Sequence, residues 1–337
     1  MLFIGSCSGF FYALDKDTGK IKWRYDIKKD GDQTSFHGDM LFTDDLVIVG
    51  ADHGTAYVYA FEKKTGKVRW KYPAGIGVGT AIIRKENNIY FATLEDKVVC
   101  LNIENGKENW VFSTTYSFKS YISNHAPAII SDTVFHGGLD GFVYALNANS
   151  GKLTWKRDLK ERICTGFAIS GNSLYVGTKH HHVYKLNQSS GTIEKDLPVK
   201  GKCIRAITRI KNSIVFFVCG MKKGSEILAV DLSLEHVLRR QKSPQGATWF
   251  TAKPYMFQNG LLFGTDKGDI FAFNITDGTQ IWTHHLEGEK IRVFGSSGNV
   301  LYVGTLKGTL YAAIVSDGQG DSFRENRPPG PPAKAFY

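Results

Sequence analysis

The groups best suited to chemistry in this 337-residue chain are His37, His53, Lys119, Tyr121, His125, Arg162, His180, Lys202, Arg205, Trp249, Lys290 and Arg292. Arginine offers planar paired donors, and clustered positive charge attracts carboxylates and phosphates, so such a set suits an anionic ligand. We assign ligand binding to His37, His53, His125, Arg162, His180, Arg205, Trp249 and Arg292. The expected partner is an acidic protein segment or an anionic glycan. The same side chains admit an alternative, lyase chemistry by β-elimination on a uronate-containing glycan. That reaction needs a base next to the carboxylate-bearing carbon and a cation for the developing charge. His37, His125 or Tyr121 would be the base, and Arg162, Arg205 or Arg292 the cation. Under the binding reading no residue is catalytic.

Metal and cofactor chemistry find less support in the spacing. Three consecutive residues on a strand cannot face one ion, so of His180-His181-His182 at most His180 and His182 converge, and a polar hairpin tip accounts for the run. His284-His285 is a shorter run of the same kind, and no metal site is assigned. The five cysteines, Cys7, Cys100, Cys164, Cys203 and Cys219, have no CxxC spacing and suggest neither a disulfide framework nor a zinc site. There is no GxSxG nucleophile elbow, and Gly75-Ile76-Gly77-Val78-Gly79 precedes a strand where a phosphate cradle would precede a helix.

The formal charge of +10 favours acidic partners in general. Lysines and arginines are scattered through nearly every hairpin, and nucleic acid is not an expected partner. No stretch of 18 apolar residues exists, and Met1 to Gly5 already read as a strand, so no membrane span or signal peptide is visible. The expected location is cytoplasmic as the chain stands, or periplasmic or extracellular if a leader was removed; a monomer is expected.

The elements that must position these groups announce themselves as a repeat. A short strand of an aromatic or aliphatic residue, a small residue, an apolar residue and usually Asp or Asn recurs at Tyr12, Tyr59, Val99, Tyr144, Tyr184, Leu228, Phe271 and Tyr311. Successive copies are 47, 40, 45, 40, 44, 43 and 40 residues apart, the period of a propeller blade. Residues 121 to 159 show four short alternating strands bounded by turn residues. The expected fold is all-β, an eight-bladed β-propeller of four-stranded antiparallel blades, with seven blades as the alternative. One domain is expected over residues 1–317, followed by a Pro-rich tail over 318–337. The first blade lacks its inner strand and the last its outer one, and the tail is the only candidate to supply a partner. In such a fold the loops leading into the inner strands and the turns between second and third strands share the face at the channel mouth, where the cationic residues fall.

The turns between third and fourth strands are the most regular, as in Asp15-Lys16-Asp17-Thr18-Gly19-Lys20 and Asn147-Ala148-Asn149-Ser150-Gly151-Lys152. An Asx side chain can satisfy the turn amides and the glycine can take positive φ. Trp23, Trp70, Trp110, Trp155 and Trp282 each lie four residues after such a glycine, which makes them structural rings filling the gap to a neighbouring blade. The segments from Ala13 to Trp23, Ala60 to Trp70, Ala145 to Trp155 and Ala272 to Trp282 resemble the tryptophan-docking repeat of pyrroloquinoline-quinone-like (PQQ-like) propellers. That family includes quinoprotein alcohol dehydrogenases and an outer-membrane assembly lipoprotein with the same eight-bladed fold and no cofactor. The resemblance implies a non-catalytic binding or scaffold module, with a quinone-dependent dehydrogenase as a remote alternative. It further implies that a bound quinone would need two adjacent disulfide-bonded cysteines, a tryptophan and a calcium; this chain has no Cys-Cys pair, and no PQQ is expected. Blades five and six depart from the repeat by lacking the docking tryptophan, and looser packing is expected there.

Overall fold

The computed structural model describes the chain apart from residues 117–124, 181, 202, 222–223, 243–253, 276–278, 317–318, 321–323 and 327–337, and apart from side chains at a few further positions between 203 and 224 and beyond 315. Its strands form eight antiparallel sheets in chain order, each a meander of sequence neighbours. The fold is an all-β, eight-bladed β-propeller, with no helix among the described residues long and apolar enough to cross a membrane. Blade 4 is representative, with strands Ala128–Ile130, Thr133–Gly137, Phe142–Asn147 and Leu153–Asp158.

Blade 1 has three strands, Leu2–Gly5, Phe10–Leu14 and Ile21–Asp26, as the repeat count requires. Blade 8 supplies Ile291–Ser297, Val300–Thr305 and Leu310–Ser316, and the tail then returns to it. Arg324–Asn326 pairs antiparallel with the third strand, setting Leu310 opposite Asn326 and Ala312 opposite Arg324. Sheet pairing therefore continues past residue 317. Contacts divide the chain into two compact units, Met1–Phe167 with Asn187–Thr192, and Ala168–Leu186 with Ile193–Tyr337.

The core lies between neighbouring blades, because residues alternate sides along a strand. In blade 2, Leu46, Ile48, Val58 and Ala60 pack with Ile89, Phe91, Val99 and Leu101 of blade 3. The intervening Val47, Val49, Tyr59 and Phe61 pack with Phe11 of blade 1. Middle strands are consequently buried on both faces and read as continuous apolar runs, whereas the outer strand Val68–Pro73 alternates. Each large side chain so buried contributes about 1.5–3 kcal/mol.

The docking tryptophans join one blade to the next. Trp23 Nε1 donates to the Lys63 carbonyl, Trp70 to Ile103 and Trp110 to Ala148, each at 2.9 Å, and Trp155 to Gln188 at 3.2 Å. Every acceptor lies in the turn between third and fourth strands of the following blade, and the glycine of that turn lies beneath the indole. A Cβ on Gly66, Gly106, Gly151 or Gly191 would fall 2.5–2.6 Å from the ring of Trp23, Trp70, Trp110 or Trp155 respectively. These glycines also have φ between 67° and 73°, so both the left-handed turn and the ring exclude a side chain. The small residue of the motif sits directly opposite the tryptophan, as in Ala13 with Trp23 and Ala145 with Trp155, and a bulge follows it in each case. The Asx turns form as expected: Asn147 Oδ1 accepts from the Asn149 and Ser150 amides at 3.1 and 3.0 Å.

Trp282 lies opposite Ala272 in blade 7 and lines a cavity with Phe257, Leu262 and Val315. At the join of blade 5 to blade 6 a different pair stands in the docking positions. Lys195 takes the tryptophan position opposite Lys185, and its Nζ lies 3.0 Å from Glu235 Oε1 in the corresponding turn of blade 6. Leu234, one residue earlier, is 1% exposed at φ 59° and packs against Tyr175 and Phe216. The join expected to be looser is filled by an aliphatic side chain and an ion pair.

Candidate functional site

The residues assigned to ligand binding fall on both units, and each unit is described separately. In the first, His37 lies in the loop leading into Leu41–Phe42 of blade 2, and His53 in the turn between Leu46–Gly50 and Tyr57–Glu62. The two imidazoles are 5.3 Å apart, centroid to centroid, so this loop and this turn do share one side of the blade.

Between them lies Asp52, 2% exposed. Its Oδ2 is 2.7 Å from His37 Nδ1 and its Oδ1 is 3.2 Å from His53 Nδ1. The other face of His37 is occupied too, with Nε2 3.6 Å from Cys7 Sγ in the first hairpin of blade 1. Hydrogen bonding to Asp52, and secondarily to Cys7, pushes the His37 imidazole up to about 9. It is therefore a cation at neutral pH.

The backbone fixes this carboxylate tightly. The Asp52 amide donates to the Ser35 carbonyl at 2.9 Å, and isolated bridges join Asp52 to both Ser35 and Gly77. A Cβ on Gly77 would lie 2.5 Å from Asp52 Cα, so the glycine run at 75–79 serves as a close approach of backbone to backbone. Gly38, next to His37, is equally constrained: a Cβ there would meet the Thr80 carbonyl oxygen. His53 itself holds φ 61°, uncommon outside glycine.

His125 and Arg162 both lie at the first strand of blade 5. Arg162 immediately precedes Ile163–Ser170, the first strand of blade 5, and His125 lies beside Gly166 of that strand, 4.0 Å from where its Cβ would stand. Both side chains are half-buried, and the Arg162 Nη2 is buried with no hydrogen-bond partner among the described residues. In the second unit, His180 is exposed in the hairpin before His182–Asn187, and Arg292 is exposed on Ile291–Ser297. Lys290, just before that strand, is also exposed. Lys119, Tyr121, Lys202 and Trp249 lie outside the described residues, as does the Arg205 side chain.

The histidine runs resolve into cross-strand pairs. His182 Nδ1 is 2.6 Å from Asp196 and His285 Nδ1 is 2.8 Å from Asp269, while His181 is outside the described residues. Among the described cysteine side chains no two are adjacent: Cys7 is exposed in a turn beside His37, Cys100 is buried on Lys97–Asn102, and Cys164 lies half-buried on the first strand of blade 5. The residues that spacing did not reveal are Asp52 and Cys7, whose roles come from burial and from a contact across 30 residues.

A family profile described as outer membrane protein assembly factor BamB matches residues 1–135 and 122–290. The Escherichia coli K12 protein of that name is 30% identical over 105 residues, 28% of this chain and 27% of that protein. The Legionella pneumophila counterpart is 26% identical over 195 residues, 56% of this chain and 49% of that one. The matched segments thus span between about a quarter and a half of these relatives' lengths. The crystal structure of BamB from Moraxella catarrhalis superimposes with a TM-score of 0.73 at 16% identity, covering 92% of each chain, a likeness of fold.

Proposed function

Because the chain belongs to the family described as outer membrane protein assembly factor BamB, we propose that it is a non-catalytic propeller scaffold of outer-membrane assembly, working on the periplasmic side. It holds an acidic protein segment through His37, His53, His125, Arg162, His180, Arg205 and Arg292, with Trp249 as an aromatic member of the set. The observation that carries the acidic partner is Arg162. Burial takes water from its Nη2 without giving it an acceptor, and a carboxylate drawing the guanidinium outward would relieve that cost. His37, held as an imidazolium by Asp52 and Cys7, adds a second positive charge. An anionic glycan meets the same requirements, and the experiment separates the two.

The lyase alternative asks more of the same residues. A general base must be neutral and must keep a nitrogen for the substrate. His37 is charged at neutral pH, with one nitrogen on Asp52 and the other against Cys7, which favours the scaffold.

The test is capture of a glutamate-rich peptide and of polygalacturonate by the intact chain and by a variant carrying Arg162→Glu, Arg205→Glu and Arg292→Glu. The expected result is peptide capture that the variant loses while its thermal transition is retained. Unchanged capture would rule out these turns as the binding surface. Growth of unsaturated-uronate absorbance would establish the lyase.

A further inference from the structure

We propose that His37, Asp52 and His53 form a site for a borderline first-row divalent cation, Zn2+ in the first instance, anchored on the buried Asp52 carboxylate. The inference shares His37 and His53 with the acidic-partner reading but stands apart from it, because that reading is carried by Arg162 and tested by peptide capture, and in a loaded chain the ion takes the place of the His37 proton as the positive charge.

Three ligand types converge. One ligand atom from each of His37, Asp52 and His53 lies within 4.8 Å of the others. Asp52 turns one oxygen to each imidazole: His53 Nδ1 to Oδ1, at 3.2 Å, is close to the roughly 3.3 Å between ligands about 2.0–2.1 Å from one tetrahedral ion, and the 2.7 Å hydrogen bond from His37 Nδ1 to Oδ2 opens by about half an ångström when an ion replaces its proton. Two imidazoles and one carboxylate suit Zn2+ and its neighbours in the first row.

The second observation is the state of the carboxylate. Asp52 Oδ1 is buried and accepts no hydrogen bond from the described residues: His53 Nδ1 lies within ion-pair reach but not in hydrogen-bonding geometry. An acidic oxygen removed from water costs free energy unless something positive engages it, and a cation between the two rings would do so. The bridges to Ser35 and Gly77 fix the Asp52 backbone, and turning the carboxylate out to water would break the 2.7 Å bond between Oδ2 and His37 Nδ1.

The surroundings supply what a metal site needs behind its ligands. With Nδ1 of His37 on the ion, its Nε2–H donates to Cys7 Sγ at 3.6 Å, an outer partner that fixes the ring. His53 is reachable from solvent, its side chain 45% exposed, and provides the path for the ion. Three protein ligands leave room for water in the remaining position. Loading releases to solvent any proton that His37 Nδ1 carries.

The experiment uses the full chain, stripped with a chelator and titrated with Co2+ and Zn2+. One equivalent should bind, with visible Co2+ ligand-field absorption that Zn2+ displaces. His53→Ala, at an exposed position that does not threaten folding, should weaken binding about a hundredfold or more, as should Asp52→Asn, and Cys7→Ala about tenfold. His285→Ala, which removes a different histidine–aspartate pair, should leave the affinity unchanged. Absence of Co2+ binding, or full affinity in His53→Ala, overturns the site. So does rapid alkylation of Cys7 in a chain that binds no metal, which would assign the cluster to a thiolate–imidazolium pair.

Discussion

Asp96 Oδ1 lies 2.9 Å from His136 Nε2 with both side chains wholly excluded from solvent, a contact between the hairpin of blade 3 and the second strand of blade 4. Asp96 occupies the left-handed position that Gly9, Gly141 and Gly268 hold in the equivalent hairpins, at φ 60°. Its Oδ2 accepts from the Leu139 amide at 2.9 Å and from Thr114 Oγ1 at 2.7 Å. Burial would raise the Asp96 carboxyl, but the bonds from His136, Thr114 and Leu139 outweigh it and hold it below the usual carboxylate range. Removing His136 strands a buried charge, so His136→Ala should cost about 3–5 kcal/mol in denaturant unfolding at neutral pH.

The acid dependence follows from the same site. A depressed carboxyl contributes stability above its unfolded value of about 4, and that contribution disappears as pH falls through the folded value. The gap in stability between the parent chain and Asp96→Asn should therefore be widest at neutral pH and narrow on acidification. Urea midpoints at several pH values measure it; a gap that stays constant would remove Asp96 ionisation from the account.

The glycines beneath the tryptophans should be the least replaceable turn residues. Gly171 has φ 55° and open space around its missing Cβ, so Gly171→Ala pays only the left-handed penalty of about 1–2 kcal/mol. Gly151→Ala pays that and also collides with the Trp110 ring, adding about 1–3 kcal/mol of overpacking. Thermal unfolding should place Gly151→Ala clearly below Gly171→Ala, and equal transitions would refute docking as the reason for the glycine.

At the blade 5 to blade 6 join, hydrophobic filling should outweigh the ion pair. Lys195 and Glu235 have side chains 39% and 54% exposed, and such pairs contribute under about 1 kcal/mol. Leu234 is 1% exposed, and Leu234→Ala should cost about 2–5 kcal/mol. Lys195→Ala should hardly move the denaturant midpoint.

The tail should protect the last blade. Chains truncated after residue 316 lose the pairing of Arg324–Asn326 with Leu310–Ala312. Hydrogen exchange at the amides of Leu310 and Ala312 should then accelerate in a chain that still unfolds cooperatively.

Much of this was legible in the residues themselves. Asn147 and Asp15 at fixed spacing before a glycine specify a turn because the chemistry is local, and the count of third strands yields eight blades because each unit repeats it. What depends on two blades at once was hidden. Gly151 reads as a turn former, and only the neighbouring Trp110 makes it a platform. Lys195 and Glu235 read as solvated charges until the register puts them in the positions that tryptophan and glycine hold in other blades. Asp52 looks like any hairpin aspartate, and its burial comes from Ser35 and Gly77, 17 and 25 residues away on either side. Part of the candidate binding set, including Trp249 and Tyr121, lies outside the described residues.

The indole set over the following blade's glycine bears on how such a chain can change length. Each blade from the first to the fourth carries the donor half of a coupling on its outer strand, and the acceptor half recurs in the turn of the next. A duplicated unit of this kind arrives already compatible with both neighbours, so the architecture can grow by copying without inventing a new interface. The Lys195–Glu235 join is not interchangeable with the others, and a unit copied across it would bring a tryptophan to a glutamate. That mismatch gives an otherwise modular run of blades a fixed order of parts.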